Sequence, residues 1–115
     1  MPYEVSQTEF EALVSNALDS IPPELGDSME NVVVVVEEGS DPNLLGLYHG
    51  IPLTERGPIA YSGVMPDRIT IYRAPLCARA HDADDLARSV RVTVLHEVGH
   101  YFGLDDARLR ELGWA

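Results

Sequence analysis

Between positions 6 and 21, apolar residues recur at three- and four-residue steps. Phe10, Leu13, Val14, Ala17, Leu18 and Ile21 share one face of a helix. Ser6 and Glu9 stand at capping-box spacing, and Pro22-Pro23 closes the segment, so an amphipathic helix given over to core packing is predicted. The period then changes. Val32 to Val36 is an unbroken β-branched run between polar and Gly- or Pro-containing flanks, the pattern of a strand buried on both faces. Leu45 to His49 reads as a weaker strand, and Gly50 and Pro52 beside it suggest an edge position. Residues 54–67 contain Gly57, Pro58, Gly63 and Pro66 and read as a loop. Arg68 to Arg73 alternates polar and apolar residues, which predicts a half-buried strand ended by Pro75.

The second long helix has clearer punctuation. Asp82 is placed to cap it, and Asp85 adds negative charge to its first turn, where the helix dipole is positive. Leu86, Val90, Val94 and Val98, with Ala87 and Leu95, give it an apolar face through about Phe102. Gly103 supplies a left-handed turn, Asp105 or Asp106 can cap a short last helix through Leu112, and Gly113 closes that one. Helix, strands, helix, helix is the order of a small α+β domain. A length of 115 residues fits one domain, 1–115, and no repeat or linker divides it.

Composition narrows the classes of partner. Eight basic against nineteen acidic residues give a net charge of −11, which repels phosphate backbones and anionic lipid, so neither nucleic acid nor membrane is the expected partner. No apolar stretch approaches the roughly 20 residues that span a bilayer. The start, Met1-Pro2-Tyr3-Glu4-Val5, lacks the basic-then-apolar pattern of a secretory signal. Cys77 is the single cysteine, so no disulfide can form within the chain. A cytoplasmic location is the expectation.

The chemistry is concentrated in His96-Glu97-Val98-Gly99-His100-Tyr101-Phe102-Gly103-Leu104-Asp105-Asp106. Side chains four apart on a helix project from one face with Cβ atoms about 5–6 Å apart. That lets His96 and His100 share one tetrahedral ion, with Zn–N distances of about 2.0–2.1 Å. Glu97 lies one step round the helix, close enough to act as general base on a water held by the metal without being a ligand itself. A third ligand is needed. Gly103 can adopt positive φ and turn the chain back. That would bring Asp106 beneath the metal, with Asp105 the nearest rival and Glu111 a more distant one.

This pattern, HExxHxxGxxD, resembles the zincin metallopeptidases, in the metzincin-like form with Asp in place of the usual third His. The chain is more closely similar to the small bacterial zinc metallopeptidases sometimes described as minimal zincins. In those proteins, segments like Gly46–Arg56 and Pro66–Arg73 precede the metal helix, so the resemblance covers most of residues 30–113. It implies a zincin-like α+β fold with a small mixed sheet packed on the N-terminal and HExxH helices. It also implies zinc (Zn2+) as cofactor, His96, His100 and Asp106 as ligands, Glu97 as base, and peptide or unfolded-protein substrates. One departure is visible: no Met follows Asp106, so the Met-containing turn of larger metzincins has no counterpart here.

Other candidates are Leu45 to His49 as a substrate-binding edge, His49 as a transition-state donor, and Tyr48 or Tyr61 as oxyanion donors. Tyr101 and His81 read as packing and surface residues. Two alternatives to a peptidase stay open. One is a zinc-binding interaction module without catalysis; the other is a metal-dependent amidase or nuclease. Glu97 opposes the first, because a structural metal site needs no base beside it. The acidic charge and the Asp in third place oppose a nuclease, whose small bacterial examples carry three histidines in the pattern HxxxHxxxxxH.

Overall fold

The structure, a computed structural model, describes residues 2–29, 31–50 and 66–114. Helix α1 spans Gln7–Asp19 and the single-turn α2 spans Pro23–Gly26. Strands β1 (Val32–Glu37), β2 (Gly46–His49) and β3 (Asp67–Tyr72) follow. Helices α3 (Arg73–Arg79), α4 (Ala83–Tyr101) and α5 (Asp106–Leu112) complete the described chain. The architecture is the small α+β domain with a mixed sheet that the pattern of elements implied. Ser6 accepts a hydrogen bond from the Glu9 backbone N–H at 3.1 Å, and Asp82 accepts one from Asp85 at 2.8 Å, so both predicted caps form.

The sheet is ordered β1-β3-β2, with β3 parallel to β1 and antiparallel to β2. This reverses two expectations. The all-valine strand lies at an edge of the described sheet, with Val33 44% exposed, whereas the alternating strand is central and buries Ile69, Thr70 and Ile71 in succession. Hydrophobicity reports how much surface could be buried, and position in the sheet decides how much is. At Thr70 the chain of β3 is paired on both sides, with Val35 of β1 and Leu47 of β2. Pro75 does not end the chain's regular structure. It lies within the first turn of α3, where a missing N–H costs nothing. Of the predicted loop, residues 54–65 lie outside the described residues.

Helix α4 organises the rest through distinct stripes. Leu86, Val90, Val94 and Val98 repeat every four residues and are fully buried against Phe10, Val14 and Ala17 of α1 and Ile69 and Ile71 of β3. His96 and His100 lie two residues from this stripe, roughly 200° round the helix at about 100° per residue, and so face away from the core. Between the two runs the flank Thr93, Glu97 and Tyr101, which meets β2: a Cβ on Gly46 would lie 2.8 Å from Thr93 Cγ2 and 3.2 Å from Glu97 Cγ. Cys77 is wholly buried and behaves as a small hydrophobe of the core.

Helix α5 is fixed to α4 by an equally close approach. A Cβ on Gly99 would lie 2.2 Å from Leu109 Cδ2, so the absence of a side chain at 99 is what lets buried Leu109 sit against α4. Gly99→Ala should therefore lose about 1–3 kcal/mol to overpacking. The improved helix propensity of Ala, about 1 kcal/mol, offsets only part of that. Urea unfolding of the two proteins measures the difference, and equal midpoints would show that α5 can be displaced without loss.

Candidate metal centre

The end of α4 is built to turn. Gly103 sits at φ 80°, the Gly103 N–H donates to the His100 carbonyl at 3.0 Å, and the Leu104 N–H donates to the Gly99 carbonyl at 3.0 Å. This pair of bonds is a Schellman closure, and it satisfies two carbonyls that the helix end would otherwise leave open. The chain then reverses into α5. Asp105 caps the new helix by accepting from the Arg108 N–H at 2.9 Å, and Asp106 becomes its first residue. The two neighbouring aspartates thus divide the work: the side chain of one is committed to the backbone, and the other is turned toward the histidines. Glu111, the remaining rival, is paired with Arg108 at 2.8 Å.

His96, His100 and Asp106 converge, each offering a ligand atom within 4.8 Å of the others. The two Nε2 atoms are 3.1 Å apart, and Asp106 Oδ1 is 3.8 Å from each. Two ligands about 2.05 Å from an ion at tetrahedral angles stand about 3.3 Å apart, so the spacing and the N,N,O donor set suit zinc. Three such donors would leave a fourth tetrahedral position open on an ion held between them. The imidazole rings meet edge to face at 85°, with centroids 4.7 Å apart. On its other nitrogen, His96 Nδ1 lies 3.1 Å from the Trp114 carbonyl.

Glu97 is buried, unlike the half-buried His96 and His100 and the exposed Asp106. Burial pushes its carboxyl above the ordinary glutamate range, while the neighbouring His96 and a hydrogen bond from the Tyr48 backbone N–H pull it back part of the way. The carboxyl thus stands, with raised proton affinity, beside the cluster of His96, His100 and Asp106 but outside it. It opens into a cleft of about 700 Å³ lined by Gly46, Leu47 and Tyr48 on one side and by His96, His100 and Asp106 on the other.

Some expected donors are placed elsewhere. The Tyr48 hydroxyl is committed as a donor to Asp67, a buried residue on β3. His49 is exposed and lies outside the cleft lining. Tyr61 lies outside the described residues. Tyr101 packs in the interior and His81 is on the surface, both as expected. Two features escape sequence reasoning because they are backbone groups: the Tyr48 N–H on Glu97 and the Trp114 carbonyl on His96. Gly46 was a legible hint of the first, since a glycine inside a strand often marks a close approach.

Residues 28–114 match the model of the zincin-like metallopeptidase family. The chain belongs to that family. This zincin-like protein also shares its fold with a solved conserved hypothetical protein from Thermo thermophilus, at TM-score 0.54 and 23% identity, over 94% of this chain and 97% of the other. No curated protein matches the sequence. Among the described residues, no helix of the zincin-like chain is long and apolar enough to cross a membrane.

The raised proton affinity of Glu97 has a measurable consequence in the metal-free protein. The folded state holds the Glu97 proton more tightly than the unfolded chain, whose value is near 4.5. Its contribution to stability is therefore full below that pH and is lost as pH rises through the folded value. Glu97→Gln, which removes the ionisation, should stabilise the metal-free protein at neutral pH, with the gain shrinking toward pH 4. Thermal unfolding across that range tests the sign, and a gain independent of pH would assign it to something other than the carboxylate.

Proposed function

We propose that this zincin-like protein is a zinc-dependent peptidase in which His96, His100 and Asp106 hold the metal and Glu97 is the general base. The observation that carries this reading is the convergence of three neutral-or-anionic ligand groups beside a buried glutamate that is not one of them. A zinc ion held there supplies a Lewis acid for a peptide carbonyl and lowers the pKa of water to about 7. Glu97 accepts a proton from the water that adds to the carbonyl carbon. As the C–N bond breaks, it passes that proton to the leaving nitrogen. The Tyr48 N–H holds the Glu97 carboxylate in place through this exchange.

Substrate binding follows from the cleft. β2 has β3 on one side only among the described residues, and Leu47, 45% exposed, lines the cleft mouth. An extended peptide can pair along that edge and present its carbonyl between Glu97 and the metal ligands. The cleft is open, which suits short or unfolded peptides. A net charge of −11 favours basic substrates and disfavours RNA.

Metal analysis of protein purified without added metal, followed by assay on a peptide library, tests the reading. Wild type should carry about one zinc per chain and cleave peptides. Asp106→Asn should carry much less. Glu97→Gln should keep its zinc and lose turnover by roughly a hundredfold or more. Turnover undiminished in Glu97→Gln would remove the glutamate from the reaction, and a wild type unable to bind zinc would remove the metallopeptidase assignment.

A further inference from the structure

A carbonyl oxygen can only accept a hydrogen bond. The 3.1 Å contact between His96 Nδ1 and the Trp114 carbonyl therefore requires the proton of neutral His96 to sit on Nδ1. The lone pair is then on Nε2, the atom that faces His100 Nε2 at 3.1 Å and Asp106 Oδ1 at 3.8 Å. The same contact fixes the plane of the ring, which a single Cβ attachment leaves free to turn.

Trp114 is held in position by a second Schellman closure. Gly113 lies at φ 77°, the Gly113 N–H donates to the Arg110 carbonyl at 3.1 Å, and the Trp114 N–H donates to the Leu109 carbonyl at 2.8 Å. Leu109 is the residue seated against Gly99 of α4. The turn after α5 thus returns the main chain to the helix that carries both histidines, 18 residues after His96. A Cβ at 113 would meet nothing within 4 Å, so the requirement for glycine there is one of backbone conformation alone.

We propose that the Gly113–Trp114 turn is the positioning element of the metal centre: through its main-chain carbonyl, Trp114 sets the tautomer and orientation in which His96 receives the metal. This rests on the reading of His96, His100 and Asp106 as ligands and extends it to a residue whose side chain takes no part. Trp114 is a positioning residue, and Gly113 determines where its carbonyl points. Losing an orienting hydrogen bond of this kind typically weakens metal affinity roughly ten- to a hundredfold.

The test uses the full chain and zinc alone, and reads both affinity and tautomer. Long-range 1H–15N correlation spectra of the metal-free wild type, above the pH at which histidine protonates, should show His96 carrying its proton on Nδ1. Gly113→Val, whose β-branched side chain opposes positive φ, should lose that tautomer and bind zinc roughly ten- to a hundredfold more weakly in chelator competition. Gly113→Asn, which tolerates the left-handed region, should retain both the tautomer and most of the affinity. An Nε2–H tautomer of His96 in the wild type would overturn the proposal without any variant, whether or not Gly113→Val folds. Unchanged zinc affinity in a folded Gly113→Val that has lost the tautomer would overturn it too. A wild type that binds no zinc would instead defeat the ligand assignment beneath it, and the proposal with it.

Discussion

The contact between Gly99 and Leu109 is the constraint on which the cluster of His96, His100 and Asp106 depends. With only a hydrogen at 99, α4 admits the Leu109 side chain against its own backbone, and any Cβ there would have to displace the Leu109 methyl. The first residue of α5 then stands over His96 and His100, and the turn after its last residue reaches the far side of His96. A shift of α5 by the width of a methyl group would move both. Gly99, inside the HExxH segment, is therefore as much a part of the site's geometry as the histidines that flank it.

A second close approach governs the base. Gly46 allows β2 to lie against Thr93 and Glu97, and that proximity both buries the glutamate and supplies the Tyr48 N–H to it. These influences oppose each other: loss of water favours the protonated carboxyl, while the amide and the histidine favour the carboxylate. The strand proposed to receive a peptide is thus the same strand that shifts the proton affinity of the proposed base. The core stripe of α4 is separate from both, packed on α1 and β3, so the chemistry occupies faces of the helix that the hydrophobic interior does not need.

Much of this was legible in the sequence, for physical reasons that differ by element. The two long helices announced themselves through period and caps, and Ser6, Asp82, Asp105, Gly103 and Gly113 all act where local backbone chemistry places them. The pairing of His96 with His100 followed from helix geometry, and one glycine turn favoured Asp106 as the third member while leaving Asp105 and Glu111 open. What could not be read was which strand lies in the middle. Val32 to Val36 has the composition of an interior strand, but β3 takes the centre because its pairing with both neighbours is a long-range choice that local pattern does not encode. Helix α3 was hidden by Pro75, a residue read as a stop that the first turn of a helix accepts. Main-chain donors and acceptors at the site were invisible because every residue type except proline carries both.

Among the described residues, the two Schellman closures confine every group at the candidate site except the β2 contact to a single stretch, residues 96 to 114. The loop to be closed is short, so the entropy of bringing these groups together is small and is met mostly by local turns. Helix α5 buries one residue, Leu109, in contrast to the many that α4 commits to the interior. Its undocking from α4 would leave the packing of α1, α4 and the sheet intact while withdrawing Asp106 and Trp114 together. For an ion held as proposed, local opening of this one small helix, without unfolding of the domain, would be the route of exchange.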